Sequence, residues 1–250
     1  MAENLEALWS ALPRLWEGVQ VTLILSLGSA ALAMIIAVAL GLATLSNNIL
    51  LRGAARVVVE FFRGTSLVVQ LFWLFYVLPL FGIDLDSLTV GIMALGLNYG
   101  AYGSEVVRGS LASVPKTQWE STVAFSMGPV LRMRRVIWPQ AWALMLPGFN
   151  NLVVMLVKGT ALASFVLLTD LTFVTDQMRR EVGTVFAFGV GLVIYFLIAW
   201  VISWLLRRLE IRARRKLGQA PPKKNRTVPS TETTAPVSSQ NPEASTGGPR

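Results

Sequence analysis

Three polar residues, Asn150, Asn151 and Lys158, lie late in a long apolar stretch and could bind a charged solute. Asn151 and Lys158 are seven residues apart and therefore share one face of a helix. Ionisable groups inside a membrane are functional by default, and an ammonium group here could meet a solute carboxylate. The alternative is that Lys158 extends to the lipid–water boundary and has no part in binding. The sequence leaves both interpretations open.

The composition excludes several kinds of chemistry. The chain contains no cysteine and no histidine, which rules out disulfides, thiol nucleophiles, zinc fingers and histidine-based catalysis or metal binding. The phosphate-binding pattern G-x-x-x-x-G-K-[ST] does not occur, so no P-loop holds ATP in this chain. We therefore predict no catalytic residue, no metal site and no cofactor bound by the chain itself. A membrane enzyme is the weakest interpretation, because the apolar runs contain few carboxylates.

Uncharged runs predict the elements that position these residues. The chain is 54% hydrophobic and only 14% charged, whereas soluble domains are about 25% charged. Its length leaves room for several runs of the roughly 17–25 residues that cross a bilayer. The predicted helices lie near Val19–Thr44, near Ser66–Gly82, between Asp86 and Glu105, between Arg135 and Lys158, and between Glu181 and Arg207. We therefore expect an all-α integral membrane protein with five spans, comprising residues 19–216 after an extracytoplasmic segment 1–18.

The basic residues predict how these spans are oriented. As far as Lys216, fourteen lysines and arginines fall on one side of the five predicted helices, and four fall on the other. The positive-inside rule then places the N-terminus outside and the C-terminus in the cytoplasm. It also explains the net charge of +8 without a nucleic-acid partner. Residues 217–250 are rich in proline, serine and threonine, and we predict a disordered cytoplasmic tail.

A polar segment, residues 113–138, interrupts the apolar sequence on the predicted cytoplasmic side. Thr117 and Glu120 have the spacing of a capping box at a helix N-terminus. Trp119, Val123 and Met127 then predict one apolar stripe. Gly128 and the following proline predict a break, after which Val130–Ile137 forms a second short helix. The segment is thus either a helix pair that contacts a partner or an interfacial helix that has none.

Further residues in the predicted spans favour structural roles. Gly96 and Gly100 form a G-x-x-x-G pattern, which allows close packing within the chain or between subunits. Arg63 and Gly64 lie at the cytoplasmic mouth of the second predicted helix, where a basic residue acts as an anchor. Glu105 could pair with Arg108, three residues away, or with Arg63.

The polar segment resembles the EAA loop of ABC importer permeases. Glu120 and Pro139 match that family's glutamate and proline, and Val136 matches its hydrophobic position. Four positions depart: Ser121 and Thr122 replace two alanines, Ser126 replaces a glycine, and Trp138 replaces a leucine. Gly128 lies two residues after the expected glycine. The resemblance implies that this loop docks in a cleft of a cytoplasmic ATPase subunit.

The resemblance extends over most of residues 12–210, and it is to the permeases for polar amino acids. It is carried by LPRLWEGVQVTLILS, EFFRGTSLVVQLFWLFYVLP, YGSEVVRGSLASVPKTQWE and RRVIWPQAWALMLPGFNNLVVMLVKGTALAS. Ser66 stands where proline is usual.

This resemblance implies the permease core of a type I ABC importer in a bacterial inner membrane. The expected partners are an ATPase that binds ATP and magnesium, an external solute-binding protein and a second permease subunit. The solute would be a polar amino acid or a zwitterion such as ectoine or hydroxyectoine. The alternative is an ATP-independent channel or secondary transporter, which would require ionisable residues deep in the spans.

Overall fold

The computed structural model describes residues 2–216, and within that range every regular element is a helix. The α-helices are α1 Ala2–Ala43, α2 Ile49–Gly64, α3 Leu67–Phe72, α4 Ser87–Ala112, α5 Lys116–Ala124, α6 Pro129–Arg132, α7 Trp138–Gly159, α8 Leu171–Val182 and α9 Thr184–Lys216. Three helices continue into other helical forms: α3 into a π-helix and then a 3₁₀-helix ending at Phe81, α6 into a π-helix ending at Ile137, and α7 into a 3₁₀-helix ending at Val166. The predicted tail, 217–250, lies outside the described residues.

Helix α4 is the centre of the bundle and packs most closely against α1. A Cβ atom on Gly96 would lie 2.6 Å from a Leu32 methyl group, and one on Gly100 would lie 2.8 Å from Ile36. Only a hydrogen atom fits at these positions, so the two glycines let α1 and α4 approach closely. The G-x-x-x-G pattern therefore makes a contact within the chain. We call this contact, between Leu32 and Ile36 of α1 and Gly96 and Gly100 of α4, the glycine seam.

Three helical segments in the described range are long and apolar enough to cross a membrane: Trp9–Ala43, Pro129–Val166 and Thr184–Ala213. A fourth span exists if Ile49–Gly64 and Leu67–Phe81, which are bent by 101° relative to each other, count as one. Helix α4 has 26 residues but is less apolar than these three segments, because it contains several glycines and serines. Many of these residues are buried against other helices. The apolar segments indicate a multi-pass membrane protein, whereas five spans and their orientation stay predictions.

Helix α1 begins at Ala2, whereas the sequence predicted a helix from about Val19. Residues 2–18 are therefore helical and continuous with the first apolar run. Ala11 and Leu15 are buried against α8, and Arg14 forms a salt bridge of 3.1 Å with Glu181. An uncharged run marks only the apolar part of a helix. The backbone hydrogen bonds of α1 continue through its charged first turns, where Arg14 pairs with Glu181.

Two amphipathic helices, α2 and α8, occur where the sequence was interpreted as connecting segments. Both helices carry arginines, and each buries one face in the bundle. Helix α2 buries Ala55 and Val59, four residues apart. Helix α8 is capped by Asp170, whose carboxylate accepts a hydrogen bond of 3.0 Å from the backbone N–H of Phe173. Both signals, helical spacing and an N-cap, were present in the sequence.

Candidate functional site

The polar segment folds into α5 and α6, but its first helix begins differently from the prediction. Lys116 is the first residue of α5 and Pro115 precedes it, with no side-chain cap. Thr117 therefore lies inside the first turn, and its carbonyl oxygen accepts a hydrogen bond of 2.6 Å from the Ser121 hydroxyl. The predicted capping box of Thr117 and Glu120 is thus wrong. Proline has no backbone N–H that needs a partner, and its backbone angle suits the start of a helix. Pro115 therefore takes the position directly before α5.

Helix α5 ends in a Schellman motif centred on Ser126. The Met127 N–H donates to the Thr122 carbonyl at 3.0 Å, and the Ser126 N–H donates to the Val123 carbonyl at 2.8 Å. This pattern requires a left-handed residue, and Ser126 has a φ of 54°. Gly128 instead has a φ of −62° and an extended conformation. The chain therefore turns at Ser126, where the resembled family has glycine. The predicted break between two helices is present, and Gly128 directly precedes the first residue of α6.

The face that α5 turns toward the bundle also differs from the predicted stripe. Thr122 is buried, and Trp119 packs against the core cluster that includes Val114, Ile137 and Ala141. Val123, however, is 57% exposed, because it points about 100° away from Thr122 on the helix.

Four outward residues of the polar segment form the surface that we call the loop face: Glu120, Val123, Phe125 and Val130. Phe125 is 80% exposed and Val130 is 79% exposed. Large apolar side chains grouped on an exposed loop mark a surface that binds another protein or a membrane. Ser121 is also exposed, so this side of α5 carries polar and apolar groups together.

The loop is connected firmly to α7. Helix α6 and the π-helix Met133–Ile137 lead directly into Trp138 and Pro139 without an intervening coil. A hydrogen bond of 3.2 Å from the Gln140 amide to the Gln118 side-chain carbonyl joins α7 to α5. Ile137 is buried in the same cluster that holds Trp119. The loop face and α7 are therefore joined by a continuous helical path.

The three polar residues of α7 do not converge on one site. Asn151 and Lys158 are exposed, and Lys158 lines a groove of about 560 Å³ between α7 and α9, beside Tyr195. Asn150 points elsewhere and is half-buried; its side-chain oxygen is inaccessible and has no hydrogen-bond partner among the described residues. Asn151 and Lys158 are both in α7, and the common face that their i to i+7 spacing predicts stays a prediction. Their role in transport stays a prediction.

A buried amide pair, which the sequence reasoning missed, connects the bend after α2 to α4. The Gln70 amide donates to the Thr65 hydroxyl at 2.7 Å and to the Phe62 carbonyl at 3.0 Å. The Asn98 amide donates to the same Phe62 carbonyl at 3.0 Å. The carbonyls near the 101° bend thereby gain donors that the broken helix cannot supply. Polar amides within two apolar runs were the available signal.

The residues predicted to be structural lie beside this bend. Arg63 forms a salt bridge of 3.1 Å with Glu60, and its guanidinium lies 5.4 Å from the centre of the Tyr102 ring. Glu105 pairs with Arg108 at 2.6 Å rather than with Arg63. Gly64 has no atom within 4 Å of its would-be Cβ, so packing does not require a glycine there.

Comparison with known proteins identifies the class. Residues 31–215 match the family of binding-protein-dependent transport system inner membrane components. The chain belongs to this family, whose members are membrane subunits of transport systems.

Curated relatives of the chain are permeases named for amino acids. It is 39% identical over 213 residues to a probable amino-acid ABC transporter permease of Sinorhizobium fredii, covering 82% of this chain and 89% of the relative. It is 37% identical to the L-cystine transport system permease of Bacillus subtilis, covering 82% and 87%. It is 32% identical to the glutamine transport system permease of Escherichia coli, covering 83% and 96%. These relatives are permease subunits of transport systems, which are translocation components rather than enzymes.

Solved structures share the fold. An amino acid ABC transporter crystallised with histidines is similar with a TM-score of 0.76 and 28% identity, covering 82% of this chain and 96% of that one. The inward-facing MetNI methionine ABC transporter is similar with a TM-score of 0.70 and 20% identity, covering 80% and 96%. At that identity the second likeness concerns the fold alone.

Proposed function

We propose that the chain is the translocation subunit of an ATP-driven, binding-protein-dependent importer in a bacterial inner membrane. The observation that carries the proposal is the loop face, which is exposed and apolar and is held on a helix pair continuous with α7. In this arrangement a cytoplasmic ATPase subunit, which binds ATP and magnesium, accepts Phe125 and its neighbours in a cleft. The ATPase moves the loop as its own subunits close, and α7 carries that motion into the membrane.

The proposed machine needs partners on both sides of the membrane. A solute-binding protein delivers the solute outside, as the family description of binding-protein-dependent transport supports. A second permease subunit, identical or related, completes the pathway. In our proposal Asn151 and Lys158 share the outer face of α7 and contribute to the path of the solute. Asn150 joins them in the proposal because its side-chain oxygen has no hydrogen-bond partner among the described residues and could accept one from the solute.

The proposed solute is a polar amino acid. The relatives described above are named for cystine, glutamine and amino acids in general, which supports this choice over ectoine or hydroxyectoine. Competition for uptake decides between the amino acids and the compatible solutes. Excess unlabelled glutamine, cystine or arginine should inhibit uptake of a labelled polar amino acid. Inhibition by ectoine alone would favour the compatible-solute alternative.

Reconstitution tests the proposal as a whole. The full chain is combined in proteoliposomes with its candidate ATPase and solute-binding protein, and hydrolysis of ATP is measured with and without solute. We expect solute-stimulated hydrolysis that is lost in Glu120→Arg, because an arginine reverses the charge of the loop face. Uptake that continues with no ATPase present would instead support the channel or secondary transporter.

A further inference from the structure

A second groove, separate from that of Lys158, lies where α7 begins and α9 ends. It has a volume of about 850 Å³ and is lined by Trp138, Pro139, Trp142, Leu146, Leu209, Arg212, Ala213 and Arg215. The side chains are of two kinds: apolar and aromatic groups on one side, and two guanidinium groups on the other. None of the lining residues is acidic.

The groove lies at a membrane boundary. Helix α9 carries no charged residue from Thr184 to Leu206, and arginines begin at Arg207. Trp138 and Trp142 stack with ring centres 6.4 Å apart, and Arg208 lies 4.0 Å above the Trp204 ring. Tryptophan is concentrated where hydrocarbon meets head groups. The arginines of the groove therefore face the head groups, and its apolar wall faces the acyl chains.

The two arginines are available for an anion. Arg212 and Arg215 are exposed and form no salt bridge within residues 2–216. They are three residues apart, so they lie on one face of α9. Two guanidinium groups side by side suit a phosphate, which can accept paired hydrogen bonds from each.

We propose that this groove binds an anionic phospholipid of the surrounding bilayer. The phosphate lies between Arg212 and Arg215, and the first part of an acyl chain lies along Leu146 and Leu209. A basic pocket between membrane helices is a common form of lipid site. Since Trp138 and Pro139 are the first residues of α7 and follow the π-helix of the polar segment, a bound lipid would stabilise the junction between that segment and α7.

Native mass spectrometry of the detergent-purified full chain tests the proposal. The probes are phosphatidylglycerol and phosphatidylcholine with the same acyl chains. The unmodified chain should prefer phosphatidylglycerol, since each arginine near the head groups adds roughly fivefold in affinity. The variant Arg212→Gln/Arg215→Gln should lose about tenfold or more of that preference, whereas Arg212→Lys/Arg215→Lys should keep most of it.

The matched control removes two arginines elsewhere. Arg52→Gln/Arg56→Gln on α2 lowers the net charge equally but leaves the groove intact, and it should keep the preference. An equal loss in both double glutamine variants would overturn the proposal, because it would show a response to net charge alone. The absence of any preference in the unmodified chain would also overturn it. If Arg212→Gln/Arg215→Gln keeps the lipid preference but no longer binds the ATPase subunit or a second copy of the chain, the proposal is overturned and the groove belongs to that protein.

Discussion

The glycine seam between α1 and α4 and the loop face of α5 and α6 are built in opposite ways. At the seam, the glycine backbone of α4 packs directly against the side chains of Leu32 and Ile36. A Cβ atom added to Gly96 or Gly100 would lie 2.6–2.8 Å from these side chains. At the loop face, Phe125 and Val130 are about four-fifths exposed. One region has all its contacts within the chain, and the other has apolar surface without an internal partner.

The difference separates stability from function. Close packing lets the seam determine the shape of the bundle, because the interior has no room to relax. The loop face contributes little to folding, since its apolar side chains are exposed to solvent in the folded chain as well as in the unfolded chain. The inner side of α5, with Thr122 and Trp119, holds the helix in place while its outer side stays free to bind. Substitutions should therefore fall into two groups, according to which region they change.

The largest effect is expected at the seam. Gly96→Val places two methyl groups where a Cβ alone already lies 2.6 Å from Leu32. Overpacking of this kind costs about 1–3 kcal/mol and occasionally more, so thermal unfolding in detergent should shift strongly downward. Gly109→Ala is the control, because nothing lies within 4 Å of its Cβ position. Equal melting temperatures for the two variants would show that the seam is not closely packed.

A large effect on activity, without one on stability, is expected at the loop face. Phe125→Asp puts a charge at the centre of the apolar surface that we propose enters the ATPase. Residues at the centre of an interface often contribute 2 kcal/mol or more, so solute-stimulated ATP hydrolysis should fall about tenfold or further. The melting temperature should not change. Val185→Asp, at a residue that is 90% exposed at the start of α9, should preserve activity.

A smaller effect on transport is expected at Lys158. Lys158→Ala should lower uptake several-fold without reducing insertion in the membrane, if its ammonium group meets the solute carboxylate. Met155→Ala, at another exposed position of α7, should leave uptake unchanged. Normal uptake by well-expressed Lys158→Ala would remove this residue from the site.

The smallest effect is expected at the turn of the loop. Ser126 has a φ of 54°, and such a conformation costs an ordinary residue about 1 kcal/mol relative to glycine. Ser126→Gly should therefore raise the local stability of α5, which hydrogen exchange of its amides would detect, and should leave transport intact. Gly128→Ser should change neither, because Gly128 has ordinary angles. A loss of coupling in Ser126→Gly would mean that the serine side chain itself is used.

Much of this architecture could be predicted from the sequence, for identifiable reasons. Uncharged runs located the apolar helices because charges are costly in hydrocarbon. The search for uncharged runs missed α2 and the first turns of α1. In both, arginines lie on one face of the helix while another face packs against the bundle. Gly128 and Pro129 correctly predict a break because this pair interrupts helices, but they do not reveal that Ser126 is the left-handed residue of the turn. The Gln70–Asn98 pair could not be predicted, since the two residues meet only through the bend after α2.

Site-specific labelling tests the central claim most directly, and the absence of native cysteine makes it clean. Each single variant, Phe125→Cys or Val185→Cys, is expressed together with the ATPase subunit and exposed to a membrane-impermeant maleimide in right-side-out and inside-out vesicles. We predict that Phe125→Cys reacts only in inside-out vesicles, and that it becomes more reactive after urea removes peripheral ATPase subunits. Val185→Cys should react only from the outside and should not respond to urea. Labelling of Phe125→Cys from the outside, or labelling indifferent to the ATPase, would contradict the account of the loop face as the docking site.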